Sequence, residues 1–290
     1  MQALIYYITL PFIYLISILP FPLLYLFSDL IFFLVYSVFG YRKKIVLANL
    51  RNSFPDKTEE EINTICKDFY SYFCDLFVET AKILTISKEE MLKRFKMTPA
   101  TTALMNKLYE EKKSCILVMG HYGNWEYPGH PFNLLFKQKL LVIYHPLQNK
   151  YFDSLMINIR SRFGTKMISM QNTFREMLAN KNNVTATVFI ADQTPSPDNA
   201  YWTTFLNQDT PIFRGTEVIA RKLNYPVIYV TSQRIKRGYY EGLSEVICEE
   251  PQKTAEGEIS ELHTRKLEKE IINCPETWLW SHRRWKHTKR

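Results

Sequence analysis

The segment "GHYGNWE" places His121 and Glu126 with four residues between them. A carboxylate that holds one imidazole nitrogen fixes the tautomer and leaves the other nitrogen free as a general base. On a regular helix these two side chains would point about 140° apart. Contact between them therefore implies a turn at His121, permitted by Gly120 and Gly123, and a helix starting near Asn124 whose first turn carries Glu126 back towards the ring. No serine or cysteine stands two residues from His121, so the base is expected to deprotonate an incoming hydroxyl directly. Positioning and oxyanion stabilisation must supply the rest of the rate. The rival use of histidine is zinc, which needs at least three protein ligands. His130 and His145 are available, but no HxxxH or HExxH pair occurs, and no metal is expected. The five cysteines (Cys66, Cys74, Cys115, Cys248 and Cys274) are odd in number and form no CxxC pair. They suit reduced thiols better than a disulfide framework or a zinc knuckle.

These residues must be held by something rigid. "CILVMG", "LLVIYH", "VTATVFIA" and "PVIYVTS" are short β-branched runs, and helical patterns lie around 101–112, 124–137, 150–163, 172–181, 214–224 and 257–273. This alternation predicts an α/β domain with a mostly parallel or mixed sheet flanked by helices. "GHYGNWE", "YHP" (144–146) and "ADQTPSPD" each follow a strand-like run directly, the arrangement expected of one crevice beyond the carboxyl ends of strands. The stretch 192–215 reads as a long functional loop. Before the sheet, residues 42–97 read as a helical lead-in, with Thr58 and Glu61 placed as a capping box.

Between Leu4 and Phe39 the only charged side chain is Asp29, and Pro20 and Pro22 split the stretch in two. Each half is short of the about 20 residues of a full span. The expectation is a membrane anchor over residues 1–41, as one kinked span or as two helices that enter one leaflet and return. A cleaved signal peptide is not expected, because residues 1–10 carry no Lys or Arg. Arg42, Lys43 and Lys44 follow at once, which puts residues 42–290 on the cytoplasmic side. The net charge is +8, and the C-terminal "HRRWKHTKR" adds a second basic cluster. Both suit an anionic membrane surface or an acidic partner. No nucleic-acid module is recognisable.

The chain resembles a known family. "GHYGNWE" is similar to the H-x4-D/E motif of glycerolipid and lysophospholipid acyltransferases. "ANLRNSFP" (48–55), "YHPLQNKYFDSLMINIRSRFG" (144–164), "DQTP" (192–195) and "PETWLWSHRRWK" (275–286) resemble, in order, segments of the lipid A biosynthesis acyltransferases that add late, secondary acyl chains. Two segments depart from that pattern: a Y-R-P is Tyr144-His145-Pro146 here, and an F-F-G is Phe205-Leu206-Asn207. The second is expected in the loop lining the crevice, where it would bear on the acceptor.

The resemblance implies an α/β acyltransferase fold with His121 as catalytic histidine and Glu126 as its acidic partner. It matches Arg160 to the first arginine of an R-x-R and Asp192 to a later aspartate. It also implies an acyl carrier protein thioester as donor, no cofactor, and a phosphorylated glycolipid acceptor at the bacterial inner membrane. Beside it, the chemistry of the side chains assigns Arg160, Arg162 and Arg214 as phosphate candidates. Asp192 is expected to hold Arg160 or the loop, or to bind a substrate hydroxyl. Trp278 and Trp280 are expected to pack or to sit at a membrane interface. The expected function is O-acyl transfer to a lipid A precursor. The alternatives are transfer to another hydroxylated membrane lipid, or a basic, non-catalytic membrane tether.

Overall fold

The computed structural model describes residues 2–287; residues 288–290, the end of the basic tail, lie outside the described residues. Helices α1 (Gln2–Ile18), α2 (Phe21–Phe32), α3 (Lys43–Ser53), α4 (Glu59–Lys82) and α5 (Lys88–Arg94) come first, and a π-helical turn (Phe33–Val38) continues α2. Then follow β1 (Phe95–Met97), α6 (Pro99–Glu110), β2 (Cys115–Met119), α7 (Gly129–Leu135), β3 (Lys139–Tyr144), α8 (Lys150–Ser161), β4 (Lys166–Ser169), α9 (Thr173–Ala179) and β5 (Thr185–Ile190). The chain finishes with a β6 (Tyr201–Phe205) and β7 (Gln208–Ile212) hairpin, α10 (Gly215–Leu223), β8 (Val227–Lys236), β9 (Tyr239–Cys248) and α11 (Glu258–Asn273).

Seven strands form one sheet in the order β1-β9-β8-β2-β5-β3-β4. Neighbours are parallel except β8 and β9, so the α/β class expected from the alternation is the observed one. The central strand β2 is buried along its whole length, which explains its continuous apolar run. Its side chains alternate between two layers. Ile116 and Val118 join Val227, Tyr229, Ala220, Leu267 and Ile271 on one face. Leu117 and Met119 join Val188, Met105, Leu108 and Phe132 on the other.

Three expectations need correction. The helix expected from about residue 124 starts only at Gly129. Asn124 Oδ1 instead accepts from the backbone N–H of Glu126 (3.2 Å) and Tyr127 (3.0 Å), a side-chain-to-backbone closure that competes with helix formation. The stretch 192–215 holds the β6–β7 hairpin. Its two turn residues, Leu206 and Asn207, have φ of 49° and 63°, the left-handed pair that a tight two-residue hairpin demands. Asparagine tolerates that conformation better than most residues. Phe205 and Leu206 are buried in the core, and Asn207 donates to the Ser53 carbonyl. Phe205-Leu206-Asn207 therefore builds a turn against α3, outside the crevice it was expected to line.

Both N-terminal helices pack on α4. The α4 capping box of Thr58 and Glu61 is present as read. Lys82 Nζ donates to the carbonyls of Ser17 (2.8 Å) and Leu19 (2.7 Å), satisfying groups left open at the end of α1. Asp29, the lone charge of the apolar stretch, meets Arg237 at 2.6 Å, and the same guanidinium bonds Asp75. The outer faces stay apolar and exposed at Leu4, Ile8, Phe12, Leu26, Leu30 and Phe33. The helical stretch Phe21–Val38 is long and apolar enough to cross a membrane.

The turn after β2 rests on one glycine. Gly123 has φ +60°, and a Cβ there would lie 1.8 Å from the Ser232 carbonyl oxygen. Gly123→Ala is expected to destabilise the fold by about 3 kcal/mol or more, read as a fall in denaturation midpoint against wild type.

Candidate active site

Strand pairing decides which polar residues meet. β2 and β5 are parallel neighbours with Met119 opposite Ile190, and Ala191 N–H donates to the Met119 carbonyl at 3.0 Å. The residues just past these strand ends, His121 and Asp192, are therefore forced together. Asp192 Oδ1 lies 2.6 Å from His121 Nδ1. Asp192 Oδ2 accepts from His121 backbone N–H (2.8 Å) and from Trp278 Nε1–H (2.8 Å). An ionised carboxylate only accepts hydrogen bonds, so Nδ1 carries the proton and Nε2 keeps its lone pair. The Gln193 side-chain amide N–H donates to that lone pair at 3.3 Å. The edge of the ring meets Trp125, with centroids 5.2 Å apart.

Glu126 does not reach His121. The expected orienting contact is replaced by a two-bond pair with Arg160, at 2.9 Å from Nε and 2.7 Å from Nη2. The physical reason is the Asn124 closure, which keeps residues 124–128 out of helix and turns Glu126 towards α8. Asp192 in turn holds neither Arg160 nor a free loop; it holds the imidazole. Burial works to raise the Glu126 carboxyl, but the Arg160 charge and hydrogen bonds, helped by His121 and His130, keep it below the usual carboxylate range. Burial likewise works to raise Asp192. The His121 charge and the bonds from His121 and Trp278 outweigh it and hold the carboxyl down at about 2.

The remaining candidates scatter. Arg162 leaves the end of α8 and donates to the Ile83 carbonyl. Arg214 pairs with Glu256 on the surface. Neither lines the main cavity. Arg160 does, and it keeps Nη1 free of Glu126. His145 lies at the cavity rim. His130 is buried edge-on to Phe163 with, among the described residues, no hydrogen-bond partner on either ring nitrogen, and burial pushes it down to about 4. Among the described residues no three His, Cys, Asp or Glu side chains converge on a metal-sized site. Two residues of the described part of the C-terminal cluster pack inward. Arg284 is buried and donates to the Pro211 carbonyl, and Trp285 donates to Thr210.

His121 lines a cavity of about 770 Å³, within the usual range for ligand sites. Its walls are Leu117, Met119 and Val188 from the sheet with Met105 and Phe132 from α6 and α7. Residues following all three strand ends, His121, His145 and Gln193, contribute to it. Sequence reasoning missed Trp278 and Gln193 as partners of the site and misassigned Asp192. "DQTP" and "PETWLW" marked the right segments, but only the pairing of β2 with β5, and the isolated bridge of Tyr122 with Trp278, shows where they meet.

The carboxyl of Asp192 drops on folding from about 3.9 to about 2. The stabilisation is complete above about pH 4 and disappears as pH falls through about 2. The stability gap between wild type and Asp192→Asn is therefore expected to narrow across that window, checked by denaturant unfolding at stepped pH.

With the geometry in place, comparison with known proteins gives one family. The model for "bacterial lipid A biosynthesis acyltransferase" matches residues 1–287. No curated protein matches the chain.

Proposed function

Because the chain belongs to the bacterial lipid A biosynthesis acyltransferase family and is an acyltransferase, we propose that it moves a fatty acyl chain from an acyl carrier protein thioester to a hydroxyl of a lipid A precursor, with His121 as general base. The supporting observation is the imidazole held at Nδ1 by Asp192 in the wall of a mostly apolar cavity of about 770 Å³. The acyl chain lies in that cavity, where each buried methylene contributes about 0.8 kcal/mol. The acceptor hydroxyl enters at the strand ends. His121 Nε2 takes its proton as the oxygen attacks the thioester carbonyl carbon. The tetrahedral intermediate collapses by breaking the C–S bond, and the departing thiolate takes the proton back from the imidazolium.

Asp192 stabilises the imidazolium in between, and the side-chain amide of Gln193 supplies an N–H donor beside the ring for the developing oxyanion. Glu126 fixes Arg160 at the rim, and the remaining guanidinium edge meets an anionic group of the donor arm or the acceptor. In this reading the exposed apolar faces of α1 and α2 seat in the cytoplasmic side of the inner membrane, and the net charge of +8 favours both the anionic leaflet and an acidic carrier protein.

His121→Ala is expected to fold and to lose transfer from acyl carrier protein to lipid A precursor. Asp192→Asn is expected to lower kcat by about 10²–10⁴, measured with the purified proteins and mass spectrometry of the product. Near-normal turnover by folded His121→Ala rejects the base assignment. For the membrane reading, the protein is expected to float with anionic vesicles, and replacing Phe12, Leu26, Leu30 and Phe33 by serine is expected to leave it in the unbound fraction.

A further inference from the structure

The turn that carries His121 has no regular secondary structure between Gly120 and Pro128, so other groups must hold it. Asn124 does this from inside. It is fully buried, its Oδ1 closes on two backbone N–H groups of the turn, and its Nδ2 donates to Glu79 Oε2 at 2.8 Å. The same carboxylate oxygen accepts from Tyr240 Oη at 2.7 Å, and Oε1 accepts from Tyr25 Oη at 2.8 Å. Glu79 is itself fully buried on α4, and among the described residues it forms no salt bridge. A carboxylate held only by neutral donors is a costly thing to bury. Its use is geometric. Its two oxygens accept from three directions at once, while burial pushes its carboxyl up to about 7. Here those directions lead to α2, to β9 and to the catalytic turn.

We propose that Glu79 is a positioning residue that transmits the seating of the apolar helix α2 to the catalytic turn, through Tyr25 on one side and Asn124 on the other. This rests on the reading of His121 as the base and adds a link no motif contains. Disengaging α2 frees one Glu79 oxygen. The carboxylate then swings, the Asn124 amide loses its fixed partner, and the His121 edge drifts relative to the cavity. The helix that faces the membrane is thereby tied to the competence of the site.

The test uses the full chain labelled with 5-fluorotryptophan, in which Trp125, five residues before His130 and edge-on to His121, reports on the turn without any substrate; its 19F signal is assigned by Trp125→Phe. Tyr25→Phe removes one hydroxyl and is a mild change. It is expected to shift or broaden the Trp125 signal, leave that of Trp202 in the β6–β7 hairpin in place, and lower kcat by about tenfold with the KM for acyl donor unchanged. Glu79→Leu is expected to do the same more severely, with Glu79→Gln, which keeps an acceptor and a donor in place, restoring most of the loss. A Trp125 signal that Tyr25→Phe leaves unmoved overturns the link, and this holds even where Glu79→Leu fails to fold. Because the signal needs no turnover, it stands or falls apart from the activity of His121→Ala, which tests the base.

Discussion

Asp192 is the constraint around which the site is organised. Its carboxylate takes the ring N–H and the backbone N–H of His121 and the indole N–H of Trp278. Three donors compensate the burial of one charge, and they come from the β2 turn and the C-terminal segment, while the acceptor comes from the end of β5. Loosening any of these elements would leave a buried anion short of partners. The dyad is thus also a structural knot, and the orientation of the imidazole is fixed by the same bonds that close the domain around it.

The sheet supplies both halves of what the chemistry asks for. Adjacent parallel strands bring His121 and Asp192 to one end, and the alternation of side chains along β2 sends Leu117 and Met119 into the cavity while Ile116 and Val118 fill the opposite core. Polar chemistry and apolar volume are therefore neighbours by construction. Glu126 and Arg160 form a second charged pair at the rim. Removing Arg160 alone would leave a nearly buried carboxylate unpaired, a loss of about 3–5 kcal/mol, at a position that also lines the cavity.

The alternation of β-branched runs with helices was enough to read the α/β class, β2, β3, β5 and the start of β8, and the Thr58–Glu61 cap. His121 and Asp192 were both legible as candidates, and so was the clustering at strand ends. Their partnership was not, since it depends on β2 lying beside β5, a non-local fact with no signature in spacing. Glu126 misled because its closeness in sequence suggested contact, and a buried asparagine side chain decided otherwise. β9 escaped because "YYEGLSEVIC" carries a glycine and two glutamates, and the β6–β7 turn because Leu206 is an unusual residue at positive φ. The roles of Trp278 and Arg284 were hidden for a similar reason: aromatic and basic residues near a terminus look like surface anchors until the chain is seen folding back into the core.

The most direct test of the account is a structure of the protein with a non-hydrolysable acyl-thioester analogue. The acyl chain is expected inside the cavity between Leu117, Val188 and Phe132, with the carbonyl carbon at the strand ends facing His121 Nε2 and the Nδ1–Asp192 bond unchanged. An acyl chain bound elsewhere, with the cavity empty and the carbonyl remote from His121, would contradict it.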